Sequence, residues 1–279
     1  VSSSLSHFGT TFYKLRQRSA PDHFSSRIFV RQFHRFRTNQ KLLSSKRPSI
    51  AQTPLCYTFT VPLGTPNLPK LRISIVQYLN TAPLVWGFTH GPLRGKYDLS
   101  FTVPSQCAEA LRTGAADIAI IPAIEYQRIQ NLVILPDLAI ASKKQVRSLL
   151  LVAKKPIYEL RSIALDSSSR STQALTRVLC AGKWKIAPEF FEAPPDLPAM
   201  LQRADAALLI GDPALRLSIE TEGNSSIGAQ GQTICSAAEL GIDAPGKLSI
   251  YDMVGEWQKL TGLPAVLAVW AARRDSVTP

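Results

Sequence analysis

Seven consecutive polar residues, Asp166-Ser167-Ser168-Ser169-Arg170-Ser171-Thr172, bring hydroxyls, a carboxylate and a guanidinium into one short stretch. The run Arg161-Ser162-Ile163-Ala164-Leu165 reads as a strand leading in, and Gln173-Ala174-Leu175-Thr176-Arg177-Val178-Leu179 as a helix leading out. At such a turn the hydroxyls, the free backbone N–H groups of a helix start and the guanidinium together suit an anion. Helix capping is the competing reading, because Ser and Asp cap helices well. Capping accounts for one or two of these residues and leaves the rest of the run unexplained.

Other reactive side chains are few. His7, His23 and His34 fall in the first 70 residues, which leaves His90 alone in the body. One imidazole cannot build a His-rich metal site. A Ser-His-Asp triad would have to use His90, which sits in Phe88-Thr89-His90-Gly91-Pro92 and reads as a surface turn residue. Cys56, Cys107, Cys180 and Cys235 form no C-x-x-C pair and no dense disulfide pattern. That spacing fits a reducing, cytoplasmic setting. Cys107 and Cys180 lie on apolar helix patterns and read as buried thiols.

The formal charge of +12 looks like a nucleic-acid signal until it is located. Residues 1–70 hold 11 Lys/Arg against Asp22, a net +10; the other 209 residues hold 21 basic and 19 acidic, a net +2. A nearly neutral body argues against nucleic acid as the partner of the fold. The chain is 45% hydrophobic, enough for a sizeable core, yet its longest apolar runs, such as Ala265–Trp270, are short. None approaches the ~20 residues of a membrane span, so no membrane association is expected.

Residues 1–70 are rich in Ser, Arg, Phe and Pro, with Arg31-Gln32-Phe33-His34-Arg35-Phe36-Arg37 alternating cation and aromatic. A leader outside the fold or a misassigned start, an organelle-targeting peptide and an RNA-binding arm all fit that composition. Thr53 to Pro69 reads as a linker.

Beyond the leader, strands alternate with helices. Strands are expected at 71–76, 97–103, 116–121, 133–141 (broken by Pro136), 146–152, 161–165, 204–210 and 265–272, with helices near 105–111, 173–181, 198–203 and 251–260. Ser105 is expected to cap its helix, and residues 220–236 to form a loop. A helix followed by an A-D-x-A strand occurs twice, at Ala116-Asp117-Ile118-Ala119 and Ala204-Asp205-Ala206-Ala207. The pattern predicts two α/β lobes: 71–155, then 156–262, with 263–279 returning to the first. Ligands of open α/β sheets sit beyond the carboxyl ends of strands. The polar clusters fall there: Tyr78-Leu79-Asn80, Pro104-Ser105, Pro122 to Tyr126, Ser142, the 166–172 turn and Gly211-Asp212. They point to a cleft between lobes.

Five ordered motifs carry a resemblance to a known family. Val76-Gln77-Tyr78-Leu79-Asn80-Thr81-Ala82-Pro83-Leu84, Ile120-Ile121-Pro122-Ala123-Ile124-Glu125-Tyr126, the 166–172 turn, Leu208-Leu209-Ile210-Gly211-Asp212, and Trp257 with Thr261-Gly262-Leu263-Pro264 are similar to those of chorismate dehydratases, enzymes of the futalosine route to menaquinone. The resemblance covers about residues 71–274. It implies the two-lobed fold of type II periplasmic binding proteins. It also implies a carbon-oxygen lyase that removes water from chorismate to give 3-[(1-carboxyvinyl)oxy]benzoate, with neither metal nor organic cofactor.

By the same resemblance Asn80 hydrogen-bonds the reacting region, with Tyr78 beside it. Ser169, Arg170, Ser171 and Thr172 hold a carboxylate, with Gly211 and Asp212 at the neighbouring strand end. Ser105, Ser142, Pro122 and Glu125 line the opposite lobe, Glu125 being the protein-side alternative to the substrate's own carboxylate as base. Ala123 stands where many members carry Ser, and Lys144 where Gly is expected. Family members continue past the strand matching 265–272, so the resemblance implies that a further segment belongs with this chain. The main alternative is a non-catalytic two-lobed binding protein for a small carboxylate. The absence of a signal-like apolar segment in residues 1–30 argues against an exported one. The sister enzyme that forms dihydroxynaphthoate is disfavoured by Tyr78-Leu79-Asn80 and by the lone His90.

Overall fold

The computed structural model describes residues 70–242 and 246–277. The leader, the linker at 53–69, Cys56 and the leader histidines lie outside the described residues. The chain runs β1 (Arg72–Val76), α1 (Ala82–Thr89), β2 (Asp98–Thr102), α2 (Pro104–Thr113), β3 (Ile118–Pro122) and β4 (Leu132–Ser142). It continues with β5 (Leu149–Ala153), β6 (Ser162–Asp166), α3 (Ser171–Leu179), β7 (Glu189–Ala193), α4 (Leu197–Arg203), β8 (Ala206–Ile210) and α5 (Gly211–Glu220). Last come β9 (Ser226–Ile227), β10 (Thr233–Ser236), β11 (Lys247–Asp252), α6 (Met253–Thr261), β12 (Ala265–Arg273) and α7 (Arg274–Val277). Among the described residues no helix is long and apolar enough to cross a membrane.

Two sheets result, ordered β2-β1-β3-β12-β4 and β7-β6-β8-β5-β11-β10-β9. In the first, β1 pairs in parallel with β2 and β3, and β12 runs antiparallel to β3 and β4. In the second, β6 pairs in parallel with β7 and β8, and β5 runs antiparallel to β8 and β11. Both sheets share a plan over five strands, three parallel, one delivered from the other lobe and one antiparallel to it, and β10 and β9 extend the second sheet. This exchange of strands is the two-lobed, type II binding-protein-like architecture expected from the sequence. Core residues follow the pleat. Leu151, Leu165 and Leu208 pack on one face of the second sheet, and Leu150, Ala164 and Leu209 on the other. Ile73, Ile75, Leu111, Ile121 and Val269 fill the first lobe.

The repeated A-D-x-A unit has a physical basis. Asp117 accepts the backbone N–H of Arg72 at 2.8 Å and pairs with its guanidinium at 2.8 Å. Asp205 accepts the N–H of Arg161 at 2.9 Å and pairs with Lys155 at 2.6 Å. In each lobe one carboxylate staples the start of the third parallel strand to the start of the first.

Several expectations are corrected. β5 belongs to the second sheet, so the chain crosses between lobes within residues 143–148 and not after 155. Leu149-Leu150-Leu151-Val152-Ala153 is buried throughout, and a strand covered on both faces carries no mark of which sheet it joins. β4 does not break at Pro136. Ile134 pairs with Ala271 and Ala139 with Val269, so residues 135–138 bulge, with Asp137 at φ +71°. Among the described residues β4 is an edge strand with one side unpaired, and a proline costs little there. The expected loop at 220–236 contains β9 and β10. Tyr251 and Asp252 end β11 instead of starting a helix; the Asp252 carboxylate caps α6 by accepting the Gly255 N–H at 2.8 Å. The other Asp252 oxygen accepts the N–H groups of Val146 and Arg147 at 2.8 and 2.7 Å, which fixes the crossover segment.

Candidate functional site

The 166–172 turn is built around a buried carboxylate. Asp166 ends β6 with no solvent exposure. Its Oδ1 accepts the Ser168 N–H at 2.9 Å and the Ser168 hydroxyl at 2.5 Å, while Oδ2 accepts the Ile210 N–H at 3.1 Å from the end of β8. The Gln173 amide donates to the Asp166 carbonyl at 2.9 Å. Burial pushes the Asp166 carboxyl above its ordinary range, against the pull of the Ser168 bonds. Asp166 therefore shapes the turn and ties it to β8. Ser169 takes the capping part: its Oγ accepts the Thr172 N–H at 3.2 Å. Thr172 is buried, and its carbonyl accepts the Thr176 hydroxyl at 2.8 Å.

Ser168 and Ser171 of the turn reach the other lobe. The Tyr78 phenol lies 3.2 Å from Ser168 Oγ. The Ser105 N–H donates to the Ser168 carbonyl at 3.0 Å, and the Ile124 N–H to Ser171 Oγ at 3.2 Å. The Leu79 N–H donates to Asp212 Oδ1 at 3.3 Å. Tyr78 packs on the cores of both lobes, and its ring lies against Gly211. Gly211 has φ +67°, and a Cβ there would stand 2.7–2.8 Å from three ring carbons. Only glycine satisfies both the backbone and the ring. Carboxyl ends of β1, β2 and β3 thus meet those of β6 and β8.

Ser105 does not cap α2 as expected. The helix starts at Pro104 after Val103 with no side-chain cap, and a carbonyl from the second lobe satisfies its first-turn N–H. Two residues at the seam carry side chains open for a ligand. Asn80 is half-buried, and its Oδ1 accepts the Thr81 hydroxyl at 3.3 Å, which leaves its amide donors. The half-buried Arg170 guanidinium has no hydrogen bond or ion pair among the described residues.

Three expected residues sit apart from this group. Glu125 is fully buried, with Oε2 on Arg112 at 2.5 Å and Oε1 on Arg128 at 3.0 Å. Both oxygens are held by arginines of its own lobe, so it anchors the turn after β3 instead of lining the cleft. Ser142 closes a turn at the crossover, donating to the Lys144 carbonyl at 2.6 Å and accepting the Lys144 N–H at 3.1 Å. Pro122 is buried in the ladder opposite Ala268.

Sequence reasoning put the 166–172 turn and the Pro122 to Tyr126 cluster at the cleft without singling out Ser168 or the Ile124 N–H. The Asp166-x-Ser168 spacing is the signal for Ser168, since an Asp folding back on the residue two ahead is an Asx-turn pattern. Cysteine chemistry is remote. Burial pushes the Cys107 thiol up to about 11 and the Cys180 thiol up to about 12, so neither is a nucleophile.

Residues 71–278 match the family described as menaquinone biosynthesis. The chorismate dehydratase of Thermus thermophilus is 27% identical over 212 residues, covering 74% of this chain and 71% of that protein. The crystal structure of protein AF1704 from Archaeoglobus fulgidus is similar at a TM-score of 0.52 and 21% identity, covering 74% of this chain and 69% of that one. The periplasmic aliphatic sulphonate binding protein SsuA of Escherichia coli has a TM-score of 0.44 at 20% identity, covering 75% of this chain and 66% of that one. A match across the whole described body, on a chain whose strand ends meet in this way, places the protein: it belongs to the menaquinone biosynthesis family.

Proposed function

We propose that this chain is a chorismate dehydratase, a carbon-oxygen lyase that eliminates water from chorismate to give 3-[(1-carboxyvinyl)oxy]benzoate. The observation that carries this is the seam itself, where Asn80 and Arg170 keep free donors beside Tyr78, Ser105 and Ser171. Chorismate has two carboxylates and a ring hydroxyl. Arg170 and the first turn of α3 suit one carboxylate by charge and by oriented donors. The Asn80 amide suits the hydroxyl oxygen that must leave.

The reaction takes a proton from a ring carbon and expels the hydroxyl, and the aromatic product supplies much of the driving force. Orientation and fixed donors are then the protein's main task. Glu125 is committed to two arginines, which supports the substrate's own enolpyruvyl carboxylate as the base. The reading also puts the protein at work on a small molecule in the cytoplasm. Two substitutions test it. Asn80→Ala should lower turnover by about a hundredfold or more, the scale of losing one donor to developing charge, with folding retained. Arg170→Gln should chiefly raise KM. Unchanged kinetics in both variants would remove these residues from the site, and binding of chorismate without turnover by folded wild type would leave a carboxylate-binding protein.

A further inference from the structure

We propose that Ser168 is a positioning residue that fixes the direction of the hydrogen bond made by Tyr78, so that the phenol oxygen meets the cleft as an acceptor and selects a ligand hydroxyl over a carboxylate or an ether. Ser168 has one hydroxyl proton and two neighbours that could take it: Asp166 Oδ1 at 2.5 Å and the Tyr78 oxygen at 3.2 Å. The shorter bond is to a carboxylate that also receives the N–H groups of Ser168 and Ile210. Burial raises this carboxyl and those donors oppose it; with each of its oxygens already accepting an N–H, the short bond is one in which the Ser168 hydroxyl donates. With its proton committed to Asp166, Ser168 can only accept from Tyr78. The phenol proton therefore points at Ser168.

Neither partner can turn away. The Tyr78 ring is held against Gly211 and between the two cores. Ser168 is held by its N–H on Asp166 and by its carbonyl on the Ser105 N–H. A phenol that has given its one proton offers only lone pairs. A ligand group set against it can bond it only by donating, as a hydroxyl does, whereas a carboxylate or an ether would leave two acceptors facing one another. The identity of that hydroxyl rests on the dehydratase reading: it is the ring hydroxyl of chorismate. Tyr78 would hold its proton while the Asn80 amide donates to its oxygen, so both groups address the leaving group.

The test compares binding of dihydrochorismate, which cannot aromatise, with binding of its ring O-methyl ether, by calorimetry on the full chain. Wild type should prefer the hydroxyl form by about tenfold or more, the scale of discrimination when a polar group is left unpaired. Ser168→Ala should bring the ratio close to one, because the freed phenol can donate to the ether. Ser168→Thr, which keeps the hydroxyl, should restore the preference, and Tyr78→Phe should abolish it. In chorismate turnover, Ser168→Ala combined with Tyr78→Phe should be no worse than the weaker single variant, since the two act as one unit. A wild-type preference that survives folded Ser168→Ala or Tyr78→Phe, or a wild type that binds both compounds equally or binds neither, overturns the proposal. A wild type that shows the preference but leaves chorismate unconverted overturns the dehydratase reading and not this one.

Discussion

Gly211→Ala should separate what the two lobes share. Gly211 sits at φ +67°, where an alanine costs about 1–2 kcal/mol from the contact of its Cβ with the backbone. The new Cβ would also stand 2.7–2.8 Å from three carbons of the Tyr78 ring, well inside van der Waals contact. Tyr78 cannot retreat freely, because its ring packs on both cores and its hydroxyl is bonded to Ser168. Overpacking of this kind costs about 1–3 kcal/mol, so the expected loss is about 2–5 kcal/mol of unfolding free energy. Urea unfolding would measure it, and adding Tyr78→Ala would dissect it. Removing the ring should cancel the overpacking part and leave the backbone part, a coupling of at least about 1 kcal/mol. A Gly211→Ala protein within about 0.5 kcal/mol of wild type, or a loss unchanged in the Tyr78→Ala background, would refute the account of Tyr78 and Gly211 as one packed unit.

Glu125→Gln should destabilise by about 1–2 kcal/mol, because the charged hydrogen bonds to Arg112 and Arg128 are lost but both guanidiniums stay partly in solvent. Turnover by the folded fraction should fall by less than about threefold, whereas an essential base typically contributes a hundredfold or more; such a loss at unchanged stability would return Glu125 to the chemistry. The Arg72 guanidinium beside Asp117 holds that carboxyl below the ordinary aspartate range. A depressed folded value means that its stabilisation is present above the unfolded value and disappears as pH falls through the folded one. The stability gap between wild type and Asp117→Asn should therefore be constant through neutral pH and close in acid, and a gap that persists in acid would contradict the pairing.

Local chemistry made much of this fold readable. Strands and helices alternate, A-D-x-A marks the same staple in each lobe, and polar groups collect at strand ends because apolar segments have no use for them. What the sequence hid was long-range. Leu149–Ala153 reads as a buried strand in any sheet, and only its pairing with residues 206–210 and 249–252 assigns it to the second lobe. β11 escaped because Tyr251-Asp252-Met253 joins strand to helix without a turn residue to mark the boundary. At the site, residue type located the 166–172 turn but could not divide its labour. Asp166 and Ser169 serve the turn itself, Ser168 and Ser171 reach the other lobe, and the Arg170 guanidinium has no partner among the described residues. Glu125 looked like a cleft carboxylate because its two arginines, at 112 and 128, are invisible as partners until the turn after β3 folds against α2.

Incubating the purified chain with chorismate and analysing the products by mass spectrometry tests the central claim most directly. The dehydratase account predicts conversion to the enolpyruvyl benzoate with loss of one water and no added cofactor. Chorismate that is bound by folded protein and recovered unchanged would contradict it.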